Sequence, residues 1–76
     1  MQVSELNIGH TVRILSLAQG DPVYRKRLIA MGLIPGTVFT VIRMAPLGDP
    51  IEIEVRGYAL SLRKSEAAIL RIEEAV

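Results

Sequence analysis

The chain has 76 residues, half of them hydrophobic but only 4% aromatic, with nine basic against eight acidic side chains for a net charge of +1. That length holds one small domain spanning residues 1–76, and the apolar content excludes a disordered chain, which would be polar and charge-rich. The lack of cysteine removes disulfides, thiolate metal sites and cysteine nucleophiles together and points to a reducing compartment.

In chain order, Met1 to Glu5 carries no basic segment of the signal-peptide kind. Ser4 to Asn7 reads as a short turn ended by Gly9. From Thr11 the pattern is strand-like: Val12 and Ile14 alternate with Thr11, Arg13 and Leu15, while Leu15 and Leu17 fall on the face of Arg13. Asp21-Pro22 predicts a sharp helix start, with Asp21 as cap and Pro22 in the first turn, where its missing N–H costs nothing. The helix runs to about Met31 with Tyr24, Leu28 and Met31 on one buried stripe and Ile29 beside it. Gly32 is the expected left-handed cap, and Pro35-Gly36 fits the centre of a type II turn.

The rest reads as β. Thr37 to Met44 is a strand with apolar groups on both faces, Phe39 and Val41 against Val38, Ile42 and Met44. Ala45 to Pro50 is a loop dense in turn residues. Ile51, Ile53 and Val55 alternate with Glu52, Glu54 and Arg56; a turn at Gly57 leads to Tyr58, Leu60 and Leu62 alternating with Ala59, Ser61 and Arg63. Ser65 is expected to cap one helical turn, and Leu70 and Ile72 mark a last strand. The predicted fold class is mainly β with one or two short helices, a small SH3-like β-barrel. The longest apolar run, Leu28 to Ile34, is far short of the roughly 18 residues of a membrane span. The expected localisation is therefore cytoplasmic, without direct membrane insertion.

Chemistry is hard to find. His10 is the single histidine and has no triad or metal-motif spacing around it, so a surface turn is its expected place. Gly32 and Gly36 form no phosphate-cradling loop, and Glu52 and Glu54 lack a third ligand for a cation. No enzyme activity, cofactor or metal site is expected. The near-zero charge argues against nucleic acid as partner. Proline-peptide reading of the SH3 kind needs an aromatic-lined groove, and with Tyr24 on the helix and Phe39 in the core only one Tyr remains. What stands out is aliphatic surplus at Leu33, Ile34 and Leu47 and on the second faces of strands, and contiguous exposed aliphatics mark protein contacts.

Three stretches carry a resemblance: Arg27 to Gly36 (RLIAMGLIPG), Ala45 to Ile51 (APLGDPI) and Leu62 to Ala67 (LRKSEA). In these the chain resembles the FeoA family of ferrous iron transport accessory proteins, over about Leu6 to Ile72. The resemblance implies an SH3-like barrel in the bacterial cytoplasm that binds the cytoplasmic GTP-binding part of FeoB, a membrane transporter for Fe(II). Domains of this kind also end metal-dependent repressors similar to DtxR, as regulatory contact modules. The expected docking surface comprises Arg25, Leu28, Met31, Gly32, Leu33, Pro35, Gly36 and Leu47, with Leu33 as central anchor and Gly32 and Gly36 shaping the turn. Self-association through the same patch is left open by the sequence. An alternative role is activation of the transporter's GTP hydrolysis by an arginine finger, with Arg25 and Arg27 as the candidates. Direct Fe(II) delivery ranks last, because one histidine and no cysteine offer no convincing ligand set.

Overall fold

The computed structural model describes residues 1–75. A 3-10 turn at Val3–Glu5 precedes β1 (Thr11–Leu17), α1 (Pro22–Ala30), β2 (Val38–Met44), β3 (Ile51–Val55), β4 (Tyr58–Leu62), α2 (Lys64–Ala67) and β5 (Leu70–Glu74). The strands form one antiparallel sheet in the order β4-β3-β2-β1-β5. The alternation read from the sequence decides the inner face: Val12, Ile14, Phe39, Val41, Ile51, Ile53 and Val55 are all buried.

Strict alternation fails at two places, and both are β-bulges. In β1 the pairing steps from Ile14 opposite Ile72 to Ser16 opposite Arg71, which leaves Leu15 as the extra residue. In β2 it steps from Val41 opposite Ile53 to Arg43 opposite Glu52, which leaves Ile42 extra. A bulge shifts every later side chain to the other face. Leu17 and Met44 are thereby turned inward and pack against the core, while Leu15 and Ile42 stay exposed. The apolar second faces expected for these strands are thus half removed by the register.

Helix α1 begins as predicted. The Val23 N–H donates to Asp21 Oδ1 at 2.8 Å, and Pro22 occupies the first turn. Its stripe is narrower than expected: Leu28 is buried, Tyr24 and Met31 are half-buried, and Ile29 faces solvent. The helix ends in a Schellman motif, with Gly32 N–H donating to Ile29 O and Leu33 N–H to Leu28 O, both at 2.9 Å, and Gly32 at φ +84°. The Pro35-Gly36 turn follows, closed by Thr37 N–H to Ile34 O at 3.0 Å; Gly36 N–H then reaches Ile14 O at 2.7 Å and fastens the turn to β1.

Helix α2 is capped differently from the prediction. Glu66 Oε1 accepts from the Arg63 N–H at 3.1 Å, and Ser65 is exposed with no part in it. A carboxylate three residues into a helix can reach back to the first orphan donor, which a hydroxyl one residue along cannot. Lys64 N–H donates to Asp49 Oδ1 at 3.0 Å, tying the β2–β3 loop to α2.

Candidate functional site

The Schellman motif decides the fate of the expected central anchor. Its geometry turns the residue after the glycine back beneath the helix, where it meets the residue five positions earlier. Leu33 and Leu28 are each 0% exposed and belong to the core. Neither can touch a partner, and their assignment to a docking surface is corrected: the signal was present, since an apolar residue after a C-terminal glycine is part of that motif.

Met31 and Gly32 are half-buried beneath the β3–β4 turn. Tyr58 Oη donates to Met31 O at 3.1 Å, and the Arg56 guanidinium lies so close over Gly32 that a Cβ there would sit 2.9 Å from a terminal nitrogen. The guanidinium thus stands at the negative end of the α1 dipole, where a cation is favoured. Arg56 itself adopts φ +51° and Gly57 φ +83°, the two left-handed residues of a type I′ hairpin turn.

The exposed members of the predicted set separate into two patches. Pro35 and Gly36 join Ile34, Thr37, Val38 and Arg56 around an open hollow. Leu47, 91% exposed, stands at the rim of another of about 310 Å³. Val3, Leu6, Met44, Ile51 and Ala67 supply its apolar walls, with Ser4, Asn7, Gly48 and Lys64 as the other lining residues. The two hollows share no residue. They lie beyond opposite ends of β2, whose seven residues at about 3.3 Å each span roughly 20 Å. The single continuous surface expected from the sequence is therefore two surfaces. Ile34 and Val38, which border the first, belong to the aliphatic surplus read from the sequence; Val3, Leu6 and Arg56 border them without having been singled out, and the Arg-Gly pair at the hairpin turn was the one local signal for Arg56.

The two arginines considered as fingers have partners inside the protein. Arg25 donates to Leu17 O at 3.2 Å. Arg27, though 61% exposed, lies 3.4 Å from Glu66 Oε2, whose side chain is 3% exposed. That oxygen has no hydrogen bond among the described residues, so Arg27 supplies its charge compensation without full alignment.

His10 Nε2 meets Glu74 Oε1 at 2.8 Å while its Nδ1 accepts from the Asn7 N–H at 3.3 Å, an arrangement that joins the start of β1 to the end of β5. Glu52 faces Arg43 at 3.5 Å. Among the described residues no three His, Cys, Asp or Glu side chains come together as a metal site would require, and no helix is long and apolar enough to cross a membrane.

The FeoA domain model matches residues 1–74. A Porphyromonas gingivalis protein described as an Fe(2+) transport protein A/Fe(2+) transporter FeoB fusion is 38% identical over 73 residues, which are 96% of this chain and 8% of that protein. The chain thus spans a small fraction of that relative's length. The solution structure of FeoA from Chlorobium tepidum is 38% identical with a TM-score of 0.88, over 100% of this chain and 71% of that one. FeoA of Stenotrophomonas maltophilia, solved with zinc and described as a prokaryotic SH3 domain protein, is 26% identical with a TM-score of 0.77, over 96% and 89% of the two chains. The sheet with its two short helices is accordingly SH3-like, and the chain belongs to the FeoA domain family.

Proposed function

We propose that this protein is a cytoplasmic accessory protein of ferrous iron uptake that binds the cytoplasmic GTP-binding part of an FeoB-type transporter. The supporting observation is the relative in which a matching segment belongs to one polypeptide with an Fe(2+) transporter. Fusion of two partners replaces association by linkage, so two domains found in one chain are natural candidates to meet when separate.

The docking surface in this reading is the Leu47 loop and the hollow beside it. A large aliphatic side chain held 91% exposed on a loop tied to α2 through Asp49 and Lys64 is an anchor in search of a pocket. Calorimetric titration of the protein with the cytoplasmic part of FeoB tests both levels. Wild-type protein binds, and Leu47→Ala binds at least about tenfold more weakly. Unchanged affinity of the variant removes the surface; no heat with wild-type protein removes the partner.

A further inference from the structure

The two edges of the sheet are treated unequally. Edge strands of stable proteins are blunted by charge, proline or cover, because their free N–H and C=O groups are a template for another strand. At β5 three of five residues are charged, Arg71, Glu73 and Glu74, and the Met1 carbonyl accepts the Ile72 N–H at 3.4 Å. At β4 neither device is present. Gly57 to Leu62 contains no charge and no proline, and β4 pairs with β3 alone.

The hairpin turn fixes which groups are free. A two-residue turn makes Val55 and Tyr58 a hydrogen-bonded pair, so Tyr58, Leu60 and Leu62 bond to β3 while the N–H and C=O of Ala59 and Ser61 point away. Both residues are exposed, and among the described residues no strand lies on that side.

Charge then selects the occupant. Arg56 precedes the strand, Arg63 and Lys64 follow it, and none of the three side chains has an ion-pair partner among the described residues. A second copy pairing antiparallel about Leu60 would set Arg56 against Lys64 and Gly57 against Arg63, gathering like charges at both ends. We propose that the free edge of β4 accepts an extended segment of a partner protein by antiparallel strand addition, a stretch of about five residues with Asp or Glu at each end. Main-chain bonds to Ala59 and Ser61 hold it, and Arg56 at one end and Arg63 and Lys64 at the other select it. The site shares only Lys64 with the Leu47 hollow and stands whether or not that hollow docks a transporter.

The test is an amide-shift titration of the full ¹⁵N-labelled chain with a synthetic peptide, alternating Thr and Val in the middle and carrying two Glu at each end. Shift changes and slowed hydrogen exchange centre on Ala59 and Ser61, and a peptide with Lys in place of Glu binds about tenfold more weakly. Ser61→Pro abolishes binding; its outward N–H is not part of the β3–β4 ladder, so the fold survives the change. Reversing Arg56 and Arg63 to Glu inverts the peptide preference, which keeps the proposal testable should the proline variant fail to fold. Absent binding, shifts centred elsewhere, equal affinity for the two peptides, or binding retained by folded Ser61→Pro protein each overturn the proposal. Concentration-dependent dimerisation that Ser61→Pro removes overturns it too, in favour of a second copy.

Discussion

Replacing Leu33 by alanine distinguishes a core residue from a contact residue at the position where sequence and structure disagree most. Leu33 is 0% exposed, and its N–H closes the Schellman motif on Leu28. The substitution deletes three side-chain carbons at about 0.8 kcal/mol each, or about 2.4 kcal/mol of transfer energy. The cavity left behind raises the loss to roughly 3–4 kcal/mol, because the rigid glycine turn limits collapse around it. A chain of this length holds on the order of 4–11 kcal/mol in total, so the variant keeps only part of its stability. Urea unfolding followed by circular dichroism gives the difference from the midpoint and slope. Leu47→Ala is the control, expected within about 0.5 kcal/mol of wild type because its side chain touches little. A Leu33→Ala protein that unfolds at the wild-type midpoint yet loses partner binding would refute the burial argument and restore Leu33 to the surface.

Three further outcomes follow from the geometry. Gly32→Ala and Gly36→Ala both force alanine to a left-handed φ, but only the first meets Arg56; each loses about 1 kcal/mol, Gly32→Ala loses more, and the excess disappears in an Arg56→Ala background. Arg27→Ala destabilises by about 1–2 kcal/mol in urea melts despite its exposure, since it strips the compensating charge from buried Glu66, and has little effect once Glu66 is Gln. Asp21→Ala lowers stability by about 1 kcal/mol by removing the acceptor for Val23 N–H, and Asp21→Ser recovers most of it in thermal melts.

Much of the fold was legible because local signals agreed with one another. Asp21-Pro22 started α1, Gly32 ended it, Pro35-Gly36 turned the chain, and Ile51, Ile53 and Val55 faced inward. What misled was register. Leu15, Leu17, Ile42 and Met44 read as apolar second faces because period-two counting has no term for an inserted residue, and bulges at Leu15 and Ile42 turned Leu17 and Met44 inward. The docking patch was misread for a related reason. Apolar character does not say where a side chain ends up: Leu33 passes beneath the helix, while Leu47 lies exposed beyond the far end of β2. The cap of α2 was lost because Ser65 carries the usual capping side chain while Glu66 performs the task.

The contact between Tyr58 and the end of α1 has an optical consequence. The protein has no tryptophan and two tyrosines: Tyr24 sits in the first turn of α1, packed against the core, and Tyr58 donates to the carbonyl of Met31 at the other end of that helix. Intrinsic emission therefore follows the seating of the helix against the hairpin, and loss of that hydrogen bond alters the phenol's surroundings directly. The Leu47 hollow contains neither ring. A tryptophan-free partner docking there leaves the tyrosine signal still, whereas one prying at the helix end makes it move.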